Sequence, residues 1–82
     1  MVSVIFKGPL VSYFGSDKVI LNKSYSNINE LINEIDKNGM ITIKGKIKSG
    51  YIILVNGKDY RLFNGIISDQ DTVEIIPINH GG

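Results

Sequence analysis

One stretch of this sequence carries the period of an amphipathic helix, and its neighbours do not. Ile28, Leu31, Ile32 and Ile35 fall at i, i+3, i+4 and i+7, with Glu30, Asn33, Glu34 and Lys37 on the other side. Ser26 or Asn27 can cap the free N–H groups at its start, and Asn27 with Glu30 has the spacing of a capping box. Lys37 suits the dipole at the far end, where Asn38-Gly39 supplies a left-handed stop. All four stripe residues are expected in the core. A helix with one apolar stripe must lay it against another element, and the segments around it read as strands.

Val2, Val4 and Phe6 alternate with Ser3, Ile5 and Lys7, the period of a strand with one buried face, and Gly8-Pro9 ends it. Residues 10–15 are too few to classify, and Gly15-Ser16-Asp17 reads as a turn. Residues 18–22 form a second strand, with Val19 and Leu21 facing one way, and the economical pairing is antiparallel to the first. Residues 40–50 are either a short strand or an ordered loop. Residues 51–55 are strongly β, and Asn56-Gly57 is the favoured two-residue hairpin turn. Residues 59–63 would return as a short partner strand. Ser68-Asp69-Gln70-Asp71 makes a polar turn, and residues 72–78 form the last strand.

Two strands, one helix and two or three more strands point to a two-layer α+β domain. Alternation sends Ile53, Val55, Val73 and Ile75 toward the helix. Ile5, Ile52, Leu54, Ile76 and Ile78 then point away, with Glu74 among them. Exposed aliphatics clustered on a small domain are costly unless covered, so these five are expected to form a partner-binding surface.

At 82 residues the chain makes one domain, and 43% hydrophobic residues suffice for a modest core. The absence of cysteine excludes disulfides and thiol chemistry by the chain itself, so any sulfur it carries must sit on its C-terminal carboxyl group. Nine basic against eight acidic side chains give a formal charge of +1, no footprint for direct nucleic-acid binding. No apolar run approaches membrane-spanning length, and the N-terminus lacks the basic region of a secretory signal. A cytoplasmic protein is expected.

The sequence ends His80-Gly81-Gly82. Two glycines give a thin tail that can thread into a narrow active site where any side chain would collide with the walls. A chance Gly-Gly ending has a probability of only about 0.5%, so the upstream context decides its weight. Residues 1–78 are expected as the folded domain and 79–82 as a flexible tail.

That order of elements, with a strand running into Gly-Gly, resembles the β-grasp fold of ubiquitin and its relatives, a mixed four- to five-stranded sheet on one main helix. Ile53-Leu54-Val55-Asn56-Gly57-Lys58 resembles the central hairpin of that fold. Asp69-Gln70-Asp71-x-Val73 followed by His80-Gly81-Gly82 resembles the ubiquitin-related modifier and sulfur-carrier family, which includes the small subunit of molybdopterin synthase and the thiamine sulfur carrier. Residues 49–56 resemble the segment before that family's hairpin, whereas Ile76-Pro77 looks more like the molybdopterin synthase subunit.

The resemblance implies a carrier and not an enzyme. An E1-like activating enzyme would adenylate the carboxylate of Gly82 with Mg-ATP, a sulfur donor would displace AMP, and reduction would leave a thiocarboxylate. Sulfur would pass to an acceptor enzyme, as in tRNA thiolation, or the carboxyl group would be joined to lysines of target proteins. Gly81 and His80 would serve recognition of the tail, and the chain itself would bind no cofactor or metal. The alternatives are the sulfur-donating subunit of a molybdopterin synthase, supported by Pro77 and the Asp-x-Asp turn, and a binding module whose Gly-Gly is incidental.

Plainer roles cover the remaining residues. His80 has no nucleophile or carboxylate partner to make it a catalytic base. Asp69 and Asp71 are expected to cap backbone N–H groups in a turn sooner than hold a metal. Lys44, Lys46 and Lys48 read as a solvated edge that discourages strand-on-strand aggregation. Tyr13, Phe14 and Phe63 are expected to pack under loops.

Overall fold

The computed structural model describes residues 1–78. The elements run β1 (Val2–Phe6), α1 (Leu10–Phe14), β2 (Lys18–Leu21), α2 (Ile28–Ile35), β3 (Thr42–Ile43), β4 (Lys46–Ile47), β5 (Tyr51–Val55), β6 (Lys58–Asp59), a 3₁₀ turn (Tyr60–Phe63) and β7 (Thr72–Pro77). Five strands form a mixed sheet in the order β2-β1-β7-β5-β6, and β3 with β4 makes a separate hairpin. β1 pairs antiparallel with β2, as expected, and parallel with β7, so the strands nearest the two ends of the domain lie side by side in mid-sheet. This is the mixed sheet with one main helix that the resemblance implies.

The core lies between one face of the sheet and α2. Val2, Val4, Phe6, Ile53, Val55, Val73 and Ile75 are buried from the sheet side, and Ile28, Leu31 and Ile32 from the helix. Leu10, Tyr25, Ile41 and Ile67 close its margins. Full burial of one such side chain contributes roughly 1.5–3 kcal/mol. Ile35 departs from expectation: it is the last helical residue and only half-buried, packed against the rim of the core.

The start of α2 refines the expected cap. The Asn27 side chain accepts the Glu30 N–H at 3.0 Å, while the Glu30 carboxylate reaches Ser26, accepting its hydroxyl at 3.1 Å and its N–H at 3.4 Å. The box therefore closes one residue upstream of Asn27. The segment entering the helix is held by Glu34, which takes Lys23 Nζ at 2.7 Å and the Tyr25 hydroxyl. Burial, then the bond to Glu34, pushes the Tyr25 hydroxyl up to about 12.

The end of α2 differs from the expected Asn38-Gly39 stop. The helix finishes at Ile35, Asp36 caps it, and Gly39 at φ 72° belongs to the following turn. Asp36, 5% exposed, accepts the Met40, Ile41 and Thr42 N–H groups and the Thr42 hydroxyl, all within 2.8–2.9 Å. This carboxylate organises residues 40–42, from which the β3–β4 hairpin springs. That hairpin turns on Lys44 and Gly45, both at positive φ, as Asn56 and Gly57 do between β5 and β6. The expected strand over 59–63 is cut short at Asp59. Its side chain takes the Arg61 N–H at 2.9 Å and starts a 3₁₀ turn instead.

Residues 10–15, unclassified from sequence, contain α1, a short helix stopped by Gly15 at φ 77°. Leu10 is buried, and the Phe14 ring stacks on Phe6 at 4.2 Å between centroids. Phe14 thus packs as expected, while Tyr13 and Phe63 remain more than a third exposed.

Burial alone would raise the Asp36 pKa, but the bonds from Ile41, Thr42 and Met40 outweigh it and hold the carboxyl below its ordinary value. A depressed folded pKa gives stability that is present above the unfolded value of about 3.9 and lost as pH falls through the folded one. Asp36→Asn keeps one acceptor oxygen but turns the other into an N–H donor facing a backbone N–H, and is expected to cost about 2–3 kcal/mol at neutral pH. Urea unfolding at pH 7 and pH 3 should show the gap between wild type and variant shrinking in acid.

Candidate functional site

The site is the sheet face turned away from α2, together with the end of β7 that feeds the tail. Strand pairing places its residues in rows. Lys18, Ile5, Glu74, Leu54 and Asp59 lie in register across all five strands. One row toward the tail, Ile52 pairs with Ile76. On the other side, Ser3 stands between Ile20 and Thr72. The face therefore grades from mixed, at Ile20, Ser3 and Thr72, to aliphatic where β7 ends.

The expected orientation holds throughout: Ile53, Val55, Val73 and Ile75 are buried, and the alternate residues face outward. Ile5, Leu54 and Ile76 are half-buried, whereas Ile52 and Ile78 are 39% and 38% exposed. The structure brings these five residues onto one surface. His80, Gly81 and Gly82 lie outside the described residues.

The base of the tail is held on both sides. The Ile78 N–H donates to the Gly50 carbonyl at 2.7 Å, and the Lys7 N–H donates to that of Ile75 at 3.2 Å. Gly8 stands against Pro77 at φ +57°; a Cβ there would lie 3.4 Å from the proline ring in a backbone conformation L side chains avoid. Pro77 itself ends β7, where its missing N–H interrupts no central ladder bond. A shallow groove lined by Lys7, Gly8, Pro9, Ile76, Pro77 and Ile78 borders the exit.

The opposite end of β7 is fixed by the Asp-Gln-Asp turn. Asn56 Oδ1 accepts the Thr72 N–H at 2.9 Å, and its amide donates to Asp71 at 3.0 Å. Asp71 also accepts the Ser68 N–H at 2.8 Å, a backbone cap of the kind expected. Asp69 does not cap backbone: it accepts the Ser24 hydroxyl at 3.1 Å. The turn therefore ties the β5–β6 hairpin and the entry to α2 to the start of β7. Sequence reasoning missed Asn56 in this role, because the Asn-Gly signal was fully accounted for by the turn. No group of acidic or histidine side chains among the described residues is disposed to hold a metal ion.

Lys18, Glu74 and Asp59 put charge on three strands of this face, and Lys7 follows β1 beside Ile76. Arg61, by hydrogen bond and charge, draws the Asp59 carboxyl down to about 2. Lys44 and Lys46 of the separate hairpin are exposed, and Lys48 is half-exposed.

The chain matches the ThiS family over residues 4–82. It is similar to the crystal structure of Urm1 from Sulfolobus solfataricus, with 39% identity over 93% of this chain and 99% of that one, and a TM-score of 0.80. Urm1 from Trypanosoma brucei is 26% identical over 99% and 94% of the two chains, TM-score 0.78. The small archaeal modifier protein 1 of Methanosarcina acetivorans shares the fold at TM-score 0.84 and 22% identity, over 99% and 95% of the chains. Comparison with curated protein sequences gives no match. No described helix is long and apolar enough to cross a membrane.

The two faces of β5 should respond differently to truncation. Ile53→Ala is expected to cost about 3 kcal/mol, and Ile52→Ala under about 1. Urea unfolding of the two variants checks which face is core.

Proposed function

The chain belongs to the ThiS family of ubiquitin-like sulfur carriers and protein modifiers, and from that premise we propose that Gly82 is the atom-bearing end on which its chemistry occurs. A carboxylate is a poor electrophile because its leaving group is oxide. An E1-like activating enzyme removes this obstacle by adenylation: a carboxylate oxygen of Gly82 attacks the α-phosphorus of Mg-ATP, and pyrophosphate leaves. A persulfide sulfur donor then displaces AMP from the acyl carbon to give an acyl disulfide. A thiol attacks the donor-side sulfur, breaking the S–S bond to release the thiocarboxylate and leave donor and thiol joined as a disulfide. That group hands sulfur to an acceptor enzyme in tRNA thiolation. Attack by a lysine amine on the activated carbonyl gives an isopeptide bond to a target protein instead.

The chain supplies no catalytic group in this scheme. It supplies a docking face, a fixed exit and a tail slim enough to thread. Gly81 and His80 pass along the walls of the partner's active site, and Ile5, Ile52, Leu54, Ile76 and Ile78 form the surface that the partner covers. The observation that carries this is the continuity of the aliphatic face with the base of the tail at Ile78. Four residues extend at most about 14 Å, so whatever holds Gly82 lies beside this face. The setting is cytoplasmic, and ATP and magnesium belong to the activating enzyme.

Intact-protein mass spectra of the native chain, with a search for Gly-Gly remnants on lysines, test the scheme. The expected result is an oxygen-to-sulfur mass shift confined to Gly82 together with remnants on several proteins. The shift without remnants, with stable co-purification of a larger subunit, would favour the molybdopterin synthase role that Pro77 supports. Deletion of Gly82 is expected to abolish adenylation without changing the urea midpoint; an unaffected function would leave a simple binding module.

A further inference from the structure

The sequence has eight acidic side chains, and six of them are engaged within the described fold. Glu30 and Asp71 close caps, Glu34 and Asp59 hold cations, Asp36 gathers four donors, and Asp69 accepts a hydroxyl. Asp17 stands exposed in water. Glu74 alone is half-buried with neither an ion-pair nor a side-chain hydrogen-bond partner among the described residues; Asp71, equally half-buried, is bonded to Asn56 and Ser68. Its position is the middle of the outward face, flanked in register by Ile5 on β1 and Leu54 on β5, with the Ile52–Ile76 pair one row nearer the tail. Directly opposite side chains in a sheet approach to about 5 Å, so aliphatic groups border the carboxylate on both sides. The nearest cation in its row, Lys18, is two strands away, across Ile5.

A partner covering the aliphatic residues must also cover Glu74. Stripping water from a carboxylate without replacing its hydrogen bonds is far costlier than the apolar contacts nearby can offset. A second copy of this chain is a poor occupant, since a two-fold contact centred on this face brings Glu74 against Glu74. We propose that Glu74 is a specificity determinant for the activating enzyme, whose docking surface presents a cationic side chain, best an arginine, at the centre of an aliphatic patch. This rests on the docking reading above and adds to it the charge at the partner's centre. A wholly apolar surface, or one with an acidic centre, is then excluded by the uncompensated carboxylate, so one residue discriminates between activating enzymes that accept similar tails.

The test is steady-state adenylation by the E1-like enzyme of the same cells, followed as pyrophosphate release, with wild-type chain, Glu74→Gln and Glu74→Lys. Glu74 is on the surface, and unchanged circular dichroism and urea midpoints establish that both variants fold. Glu74→Gln is expected to raise the KM for the carrier about 30-fold, and Glu74→Lys 100-fold or more, in the range that follows truncation or reversal of a buried charge pair. The kcat at saturation should stay at the wild-type value, because the tail is untouched, and added salt should weaken wild type more than Glu74→Gln. An unchanged or lowered KM for Glu74→Gln, with wild type efficiently adenylated, overturns the role of Glu74 and leaves the carrier function standing. Failure of wild type to be adenylated removes the carrier reading and this one together. Sedimentation of wild type as a dimer that buries this face would also overturn it.

Discussion

β7 has a strand on each side, β1 parallel and β5 antiparallel, and the rest of the molecule is arranged around that placement. Its inward residues, Val73 and Ile75, are fully buried at the centre of the core and fix the register of both neighbours. Its outward residues, Glu74 and Ile76, therefore cannot turn in. Since β7 also carries the chain out of the domain, the direction in which the tail leaves is set by the most constrained strand. The base of the tail at Ile78 is thereby fixed relative to the outward face of the sheet.

The single helix completes the logic. α2 covers one face of the sheet, and among the described elements nothing comparable covers the other. The uncovered face collects Ile5, Ile52, Leu54, Ile76 and Ile78 beside the exit. Burial of the first face provides stability, while the second is the face proposed above for recognition. Glu74 fits this division. Placed among aliphatics, it lowers the tendency of the bare face to pair with itself, and a partner with the opposite charge recovers the cost.

Much of this was legible because the signals are local. A 3.6-residue stripe identifies α2, a two-residue alternation assigns the faces of β1, β5 and β7, and Asn-Gly marks the turn at 56–57. What escaped depends on partners distant in space or without a side-chain signature. Asp36 gathers backbone N–H groups of residues 40–42, and any residue there would offer the same donors. α1 is too short for a period, and it is held by Leu10 and by Phe14 stacking on Phe6. At Asp59 a carboxylate found Arg61 before the strand could continue. The outward surface was legible as a pattern, but the parallel pairing that puts Glu74 between Ile5 and Leu54 was not.

The parallel pairing of β1 with β7 also has a consequence for synthesis. β1 is made first among the strands, yet its central neighbour comprises residues 72–77, the last element described. Until the ribosome has delivered that segment, β1 and β5 each face an empty slot, and Val4, Phe6, Ile53 and Val55 lack the strand that joins them. The domain thus closes only after β7 has emerged, as pairings distant in sequence require. A product cut short before β7 stays open and falls to proteolysis. Folding in this way makes the buried core conditional on the strand that leads to the tail.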